Sequence, residues 1–213
     1  MISRRRVELS TESVLRCFYP GSTECGTLVV TLVKLDKWAE SVLALGLESA
    51  LGGIAHLSGS IDVIDLIKLI AQGLTRHGRG LQADILGKSI QETLFDSTGI
   101  EDELTLMEFE RRLKRFLRRR GLTGFVQLFL SLHVFNVVWF DTSETFRATA
   151  DSTSSFLREM QTVKRNCRKI VHSVKGALHP LTRSSAEKLT VEISLRLQEL
   201  GYGLPIPFGN CET

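Results

Sequence analysis

Apolar residues recur every three or four positions along most of this chain, which is the spacing of one face of an α-helix. Before residue 180 the only proline is Pro20, so long helices are not interrupted. The pattern predicts helices over roughly 36–52, 61–74, 81–95, 104–120, 121–140, 143–174 and 184–201. We therefore expect a mostly α-helical bundle of six or seven helices.

Two segments fit more than one type of element. Residues 27–35, TLVVTLVKL, are rich in β-branched side chains and form either a short strand or the lead-in to the next helix. In residues 189–197 the apolar positions alternate as in a strand, but Ser184 with Glu187 has the spacing of a helix capping box and Gly201 that of a helix end. We favour the helix for this last segment.

The pattern divides the chain into four parts. Residues 1–35 are predicted to be an N-terminal extension, and residues 36–120 a helical domain. Residues 121–201 are predicted to be long helices that pack on that domain. Residues 202–213 are rich in proline and glycine, which predicts a flexible C-terminal tail.

The composition is that of a globular protein, with 43% apolar and 24% charged residues. The formal net charge of +3 is too small to predict nucleic-acid binding. None of the four cysteines is in a CxxC pair, no histidine has zinc-finger spacing, and the basic N-terminus lacks the apolar segment of a secretory signal. These features predict a cytoplasmic protein with free thiols and no resident cofactor.

Residues 95–117, FDSTGIEDELTLMEFERRLKRFL, place an acidic, glycine-containing loop between two amphipathic helices. This order resembles the exit half of an EF-hand, in which an aliphatic residue at loop position eight and a glutamate at position twelve precede an aromatic residue. Residues 59–66, GSIDVIDL, have a similar order. The resemblance covers roughly residues 38–120 and implies a pair of EF-hand-like units.

For the second unit the resemblance implies calcium ligands, for which the candidates are Asp96, Thr98, Asp102 and Glu108. Counting back from Glu108 as position twelve puts Asp102 where an EF-hand has glycine. The first loop has almost no side-chain oxygen at residues 54–58. Three interpretations stay open: two plain helical hairpins, a calcium-free EF-hand-like pair, or a pair whose second loop binds calcium.

A basic cluster in front of an uncharged run forms the sharpest boundary in the chain. Seven of the ten residues 111–120 are basic: Arg111, Arg112, Lys114, Arg115, Arg118, Arg119 and Arg120. Each basic side chain near an anionic bilayer adds about 1 kcal/mol of attraction. The cluster is therefore a candidate contact with an anionic membrane surface, and a solvated helix face is the alternative.

Residues 121–140, GLTGFVQLFLSLHVFNVVWF, contain no charged side chain. As a helix they would be about 30 Å long, the thickness of the hydrocarbon core of a bilayer. Polar side chains are expensive at mid-depth in lipid, and here Gln127 and Ser131 lie on one side of the helix while His133 and Asn136 lie elsewhere. We favour a core helix over a membrane span or an interfacial, partner-binding helix.

The sequence contains no phosphate-binding loop, nucleophile elbow, zinc-protease motif or kinase motif. We therefore expect a non-enzymatic α-helical adaptor or regulatory protein, which binds a helix of a partner protein in a groove of the degenerate EF-hand-like module. The alternative is a membrane-associated protein anchored by residues 121–140, with a cytoplasmic helical domain in front of the anchor.

Overall fold

The computed structural model describes residues 14–19, 21–52, 61–99 and 104–202. These residues form seven α-helices and no strand, which confirms the predicted mostly α-helical bundle. In chain order the elements are a 3-10 helix (Val14–Phe18), α1 (Thr23–Leu45), α2 (Leu47–Leu51), α3 (Val63–Thr75), α4 (Gly80–Thr98), α5 (Leu106–Thr149), α6 (Thr153–Ser173) and α7 (Arg183–Glu199).

Helix α1 begins well before the predicted position. Ser22 caps it by accepting a hydrogen bond of 3.0 Å from the Cys25 amide. Segment 27–35 is therefore helical, and the predicted boundary of the N-terminal extension at residue 35 falls inside a core helix. Three fully buried leucines at helical spacing explain the correction: Leu28, Leu32 and Leu35. Their packing outweighs the weaker helix propensity of the β-branched residues between them.

Helix α5 bends at Gly121, whose φ of 71° and ψ of 168° lie outside the helical region. Backbone of this conformation is open essentially to glycine alone. The bend divides α5 into a first arm, residues 106–120, and a second arm, residues 122–149. The first arm carries the basic cluster, and the second arm contains nearly all of the uncharged run.

The predicted start of the helix over 143–174 is wrong, because the second arm of α5 continues to Thr149. The Thr142 hydroxyl donates to the Val138 carbonyl oxygen (2.7 Å) inside the helix and caps nothing. Helix α6 starts at Thr153, where Ser152 accepts a hydrogen bond from the Ser155 amide (3.1 Å).

The second arm of α5 lies at the centre of the protein, because α1, α4 and α6 all pack against α5. Its large side chains are fully buried on several sides of the helix: Phe125, Phe129, Leu130, Val134, Val137 and Val138. Helices from both sides of the bend contribute to one hydrophobic core. The predicted division of the chain at residue 120 therefore coincides with a bend in one helix.

The segment left open between strand and helix near the C-terminus is helix α7, as favoured from the sequence. Its capping box pairs Thr182 with Ser185, two residues before the predicted pair of Ser184 and Glu187. The Ser185 amide donates to the Thr182 hydroxyl (3.1 Å), and the Thr182 amide donates to the Ser185 hydroxyl (2.9 Å). Residues 203–213 of the predicted tail lie outside the described residues.

A buried carboxylate attaches the segment before α7 to α1. Asp36 of α1 accepts a hydrogen bond from the Leu181 amide (2.8 Å), and Nδ1 of His179 lies 2.8 Å from its other oxygen. A carboxylate that is buried needs such partners, since an unpaired charge in the interior is strongly unfavourable. This contact joins two segments that are 145 residues apart along the chain.

We expect Gly121→Ala to destabilise the protein by about 1–3 kcal/mol, because a Cβ atom strains the backbone at this φ and ψ. Among the described residues, nothing beyond the local helix lies within 4 Å of the added Cβ, so the loss would report strain and not a clash. Gly87→Ala in α4 has the same free space and is the control, which should stabilise by up to about 1 kcal/mol. Urea unfolding measures the free energy of unfolding of both variants. Equal changes in the two would contradict the explanation by backbone strain.

Candidate anion-binding surface and cavity

Four arginines of the first arm form one exposed surface, which we call the arginine face: Arg111, Arg115, Arg118 and Arg119. They follow one another at helical spacing and line a shallow hollow of about 470 Å³. The buried residues of the same arm lie on its other side: Phe109, Leu113 and Leu117. Hydrophobic packing of that side therefore turns the guanidinium groups outward.

The other three basic residues of the cluster have different surroundings. Arg112 donates to the carbonyl oxygen of Gly99 (2.7 Å) and so satisfies the C-terminal end of α4. Lys114 pairs with Glu110 (2.7 Å). Arg120 lies on a different side of the helix and lines a cavity. Of the seven predicted lipid contacts, the structure thus brings together four.

Glu108, the predicted closing ligand of the calcium loop, is held by two arginines. Its oxygens lie 2.6 Å from Nε of Arg111 and 2.9 Å from Nε of Arg112. Hydrogen bonds from Arg111 and then Arg112 lower the pKa of Glu108 to about 2. The carboxylate is therefore ionised at neutral pH, and both of its oxygens already accept hydrogen bonds.

The other described calcium-ligand candidates belong to a different helix from Glu108. Asp96 is exposed on α4, and the Thr98 hydroxyl donates to the Leu94 carbonyl oxygen within that helix (2.6 Å). Asp102 lies outside the described residues, as do residues 53–60 of the first EF-hand-like unit. Among the described residues, no group of three or more His, Cys, Asp or Glu could hold a metal ion. Calcium binding stays a prediction.

Two polar residues of the uncharged run join a buried hydrogen-bond cluster. The fully buried His133 places Nδ1 at 3.2 Å from the hydroxyl oxygen of Ser89 on α4. Asn136 donates through Nδ2 to the same hydroxyl (3.1 Å) and to a carboxylate oxygen of Glu92 (2.7 Å). These partners satisfy polar groups that would be costly in an apolar interior and join α4 to the second arm.

Cys17 of the 3-10 helix completes this cluster, since its Sγ lies 3.8 Å from Nε2 of His133. A cysteine beside a histidine can be a nucleophile and its base. Here burial raises the pKa of the Cys17 thiol well above its usual value, and burial lowers the pKa of His133 to about 3. Both shifts favour the neutral thiol and imidazole over the reactive ion pair, so we assign the pair a structural role.

Helix α5 is the one helix of the described residues that is long and apolar enough to cross a membrane by length and composition. In its most apolar window 61% of the residues are buried inside the protein. They are covered by α1, α4 and α6 of the same chain. In this structure the uncharged run packs as the core helix favoured from the sequence.

A polar cavity of about 850 Å³ lies between α4, α5 and α6. The polar residues of its described lining are Asp96, Arg120, Thr123, Gln127, Ser131, Arg168 and His172. Its apolar wall is formed by Phe95, Phe116 and Leu128. The cavity therefore combines cationic groups, neutral hydrogen-bonding groups and aromatic surface, and Asp96 is the single carboxylate that the described residues contribute to its lining.

The sequence alone pointed to only part of this cavity. Gln127 and Ser131 share one side of a helical wheel, which indicated a polar stripe on the second arm. Nothing in the sequence connects that stripe with Arg168 and His172, because their proximity depends on how α6 packs against α5. The sequence shows only that Arg168 and His172 lie outside the apolar stripe of α6, which indicates that they are not core residues.

We compared the chain with protein-family models, with curated proteins and with solved structures, and none of the three comparisons finds a match. The assignment of a function therefore depends on the geometry of the arginine face and the polar cavity.

Calcium binding can be tested by titration calorimetry of the whole chain. We expect no heat of binding at millimolar calcium, because Arg111 and Arg112 already occupy the oxygens of Glu108. Glu108→Gln removes the carboxylate that would close the loop and should give the same flat titration. Heat that appears in the natural chain and disappears in Glu108→Gln would contradict this expectation and establish a working second loop.

We expect the buried His133 to make stability depend on pH. Its pKa rises from about 3 in the folded protein to the ordinary value of 6.5 on unfolding, so the unfolded chain binds a proton that the folded protein rejects. The free energy of unfolding should therefore fall by up to about 1.4 kcal/mol per unit as the pH decreases below 6.5.

Denaturant unfolding at several values between about pH 5 and pH 6.5 measures this slope above the range in which carboxylates titrate. His133→Phe, placed between Phe18 and Phe129, should reduce it, and His77, whose pKa is also lowered by burial, contributes to the slope that stays. His172→Gln, which removes an exposed histidine, is the control for the loss of an imidazole. An unchanged slope in His133→Phe would contradict the assignment.

Proposed function

We propose that this protein is a non-enzymatic α-helical adaptor that attaches peripherally to an anionic membrane surface through the arginine face. The proposal is supported above all by four exposed guanidinium groups around one hollow on an outward-facing helix arm. Arginine presents a fixed fork of donors that matches phosphate oxygens in pairs. Arg111 already donates twice to Glu108, whereas Arg115, Arg118 and Arg119 form no ion pair among the described residues and are complementary to the phosphates of a lipid surface.

Apolar neighbours of the arginine face favour a lipid surface over an acidic protein. Met107 is 81% exposed and Leu106 is 37% exposed at the start of the same arm. Met107 lies one helical turn before Arg111 and therefore at the end of the arginine face. Basic residues next to exposed apolar side chains are typical of a helix that lies in the membrane interface.

The surroundings of the second arm support attachment to the surface over a membrane span. Its apolar side chains contact α1, α4 and α6 of the same chain, which already cover them. To span a bilayer the arm would have to leave these helices and expose His133 and Asn136 to lipid, which is costly. The span at 121–140 remains the alternative hypothesis.

The proposed absence of catalysis is supported by the buried pair Cys17 and His133, whose pKa shifts favour unreactive neutral groups.

An adaptor also needs a partner. A partner protein with an acidic segment would bind the same guanidinium groups and compete with lipid for them. Binding to such a protein without binding to vesicles is therefore the result that separates the two kinds of ligand.

We expect the triple variant Arg115→Gln, Arg118→Gln, Arg119→Gln to bind anionic vesicles roughly 100-fold more weakly than the natural chain. The estimate takes about 1 kcal/mol for each basic residue near the surface. Co-sedimentation with vesicles of phosphatidylcholine containing phosphatidylserine measures the loss. Added salt should weaken the binding of the natural chain, because the attraction is electrostatic.

The control carries the same change of charge at three exposed residues elsewhere: Lys37→Gln, Lys88→Gln and Arg158→Gln. It should keep most of the affinity. An equal loss in both triple variants would show that only net charge matters and would contradict the proposal. A natural chain that binds no anionic vesicles would overturn it, and a chain that resists carbonate extraction from cell membranes would support the span in its place.

A further inference from the structure

The polar cavity is a second site, separate from the arginine face. It lies between the end of α4, the bend of α5 and the C-terminal half of α6. Its volume of about 850 Å³ is in the range of pockets that bind small organic molecules. The lining residues from Gly124 to Ser131 extend about 10 Å along the second arm, which is longer than an inorganic ion requires.

Ser131 is the residue that most clearly calls for a ligand. It is only 7% exposed, and its hydroxyl oxygen is buried without a hydrogen-bond partner among the described residues. The Thr142 hydroxyl on the same arm donates back to the carbonyl oxygen four residues earlier. Ser131 lacks this local bond although it lies in the same helix. A buried hydroxyl without a partner costs about 1–3 kcal/mol, and Ser131 belongs to the lining of the cavity, where a small change of its side-chain rotamer can offer the hydroxyl to a ligand.

Cationic groups reach the cavity from two helices. Arg120 comes from the first arm and Arg168 from α6, and the ion pairs of the described residues include neither of them. Nδ1 of His172 lies 2.8 Å from the carbonyl oxygen of Arg168, so this nitrogen donates and fixes the ring. Within the described part of the chain, Asp96 is the one carboxylate of the lining, and it is exposed on α4, as Arg120 and Arg168 are on their helices.

The lining therefore offers many donors and few acceptors. A phosphate monoester supplies three acceptor oxygens and a charge between about −1.5 and −2 at neutral pH, which fits two guanidinium groups and a hydroxyl better than a carboxylate does. The aromatic side chains of Phe95 and Phe116 and the side chain of Leu128 form a wall for an apolar body.

We propose that the polar cavity binds a phosphate monoester, with Arg120, Arg168 and Ser131 donating to the phosphate oxygens. The organic part of the ligand lies against Phe95, Phe116 and Leu128. Such a ligand has two sources, a soluble phosphate ester or the headgroup of phosphatidic acid in a bilayer. This proposal uses none of the residues of the arginine face and does not depend on the proposed membrane attachment.

Titration calorimetry of the whole chain with phenyl phosphate tests the proposal. We expect binding that is at least about tenfold tighter than that of inorganic phosphate, because only the ester contacts the apolar wall. Arg168→Gln and Ser131→Ala should each weaken the binding of phenyl phosphate by about tenfold. Arg115→Gln on the arginine face is the matched control and should leave it unchanged.

Ser131→Ala also separates binding from folding. Removal of a buried hydroxyl without a partner should leave the unfolding temperature of the ligand-free protein equal or higher, while the affinity falls. Weaker binding together with a lower unfolding temperature in Ser131→Ala, and no effect of Arg168→Gln, would overturn the proposal. The absence of heat with millimolar phenyl phosphate in the natural chain, or binding lost in Arg115→Gln alone, would do so as well.

Vesicles distinguish the two sources of the ligand. If the headgroup is the ligand, vesicles with phosphatidic acid bind more tightly than vesicles with phosphatidylserine, and Arg168→Gln removes this difference. If the ligand is soluble, phenyl phosphate binds and the two kinds of vesicle behave alike. Both results support the cavity, whereas failure of the arginine face appears separately as an absence of binding to phosphatidylserine vesicles.

Discussion

The burial of the second arm of α5 is the constraint on which the rest of the structure depends. An uncharged helical arm with apolar side chains on several sides is stable in water only when other elements cover it. Helices α1, α4 and α6 provide that cover. Two polar residues of the arm, His133 and Asn136, have specific partners on α4 and fix how that helix lies against it. A uniformly apolar arm would leave this register less well determined.

The bend at Gly121 separates the part of α5 that builds the core from the part that carries charge. A straight helix would continue the basic cluster along the axis of the core helix. Because the backbone leaves the helical region at this glycine, the first arm takes its own direction, and the space beside the bend becomes the polar cavity. The bend at Gly121 thus separates the arginine face on the first arm from the polar cavity beside the second arm.

The two sites use the same residue type in different surroundings. On the arginine face the guanidinium groups are exposed, where salt screens them and each contributes little alone. In the polar cavity Arg120 and Arg168 are exposed as well, but they share the lining with the buried hydroxyl of Ser131 and with aromatic side chains, which add specific contacts to the charge. A basic cluster that reads as one feature along the chain is therefore divided by the fold into several roles, including the end cap that Arg112 provides for α4.

The sequence by itself determined the helical class and the exposed side of the first arm, because these follow from periodicity within single helices, and it favoured a core position for the uncharged run without deciding it. It placed the start of α1 too late, since propensity is local and the burial of Leu32 and Leu35 is not. Only the tertiary structure decided which polar groups come together: Ser131 and Arg168 line one cavity from two helices, and Asp36 accepts a hydrogen bond from Leu181 across most of the chain. Such contacts depend on how helices pack, and no spacing along the sequence encodes them.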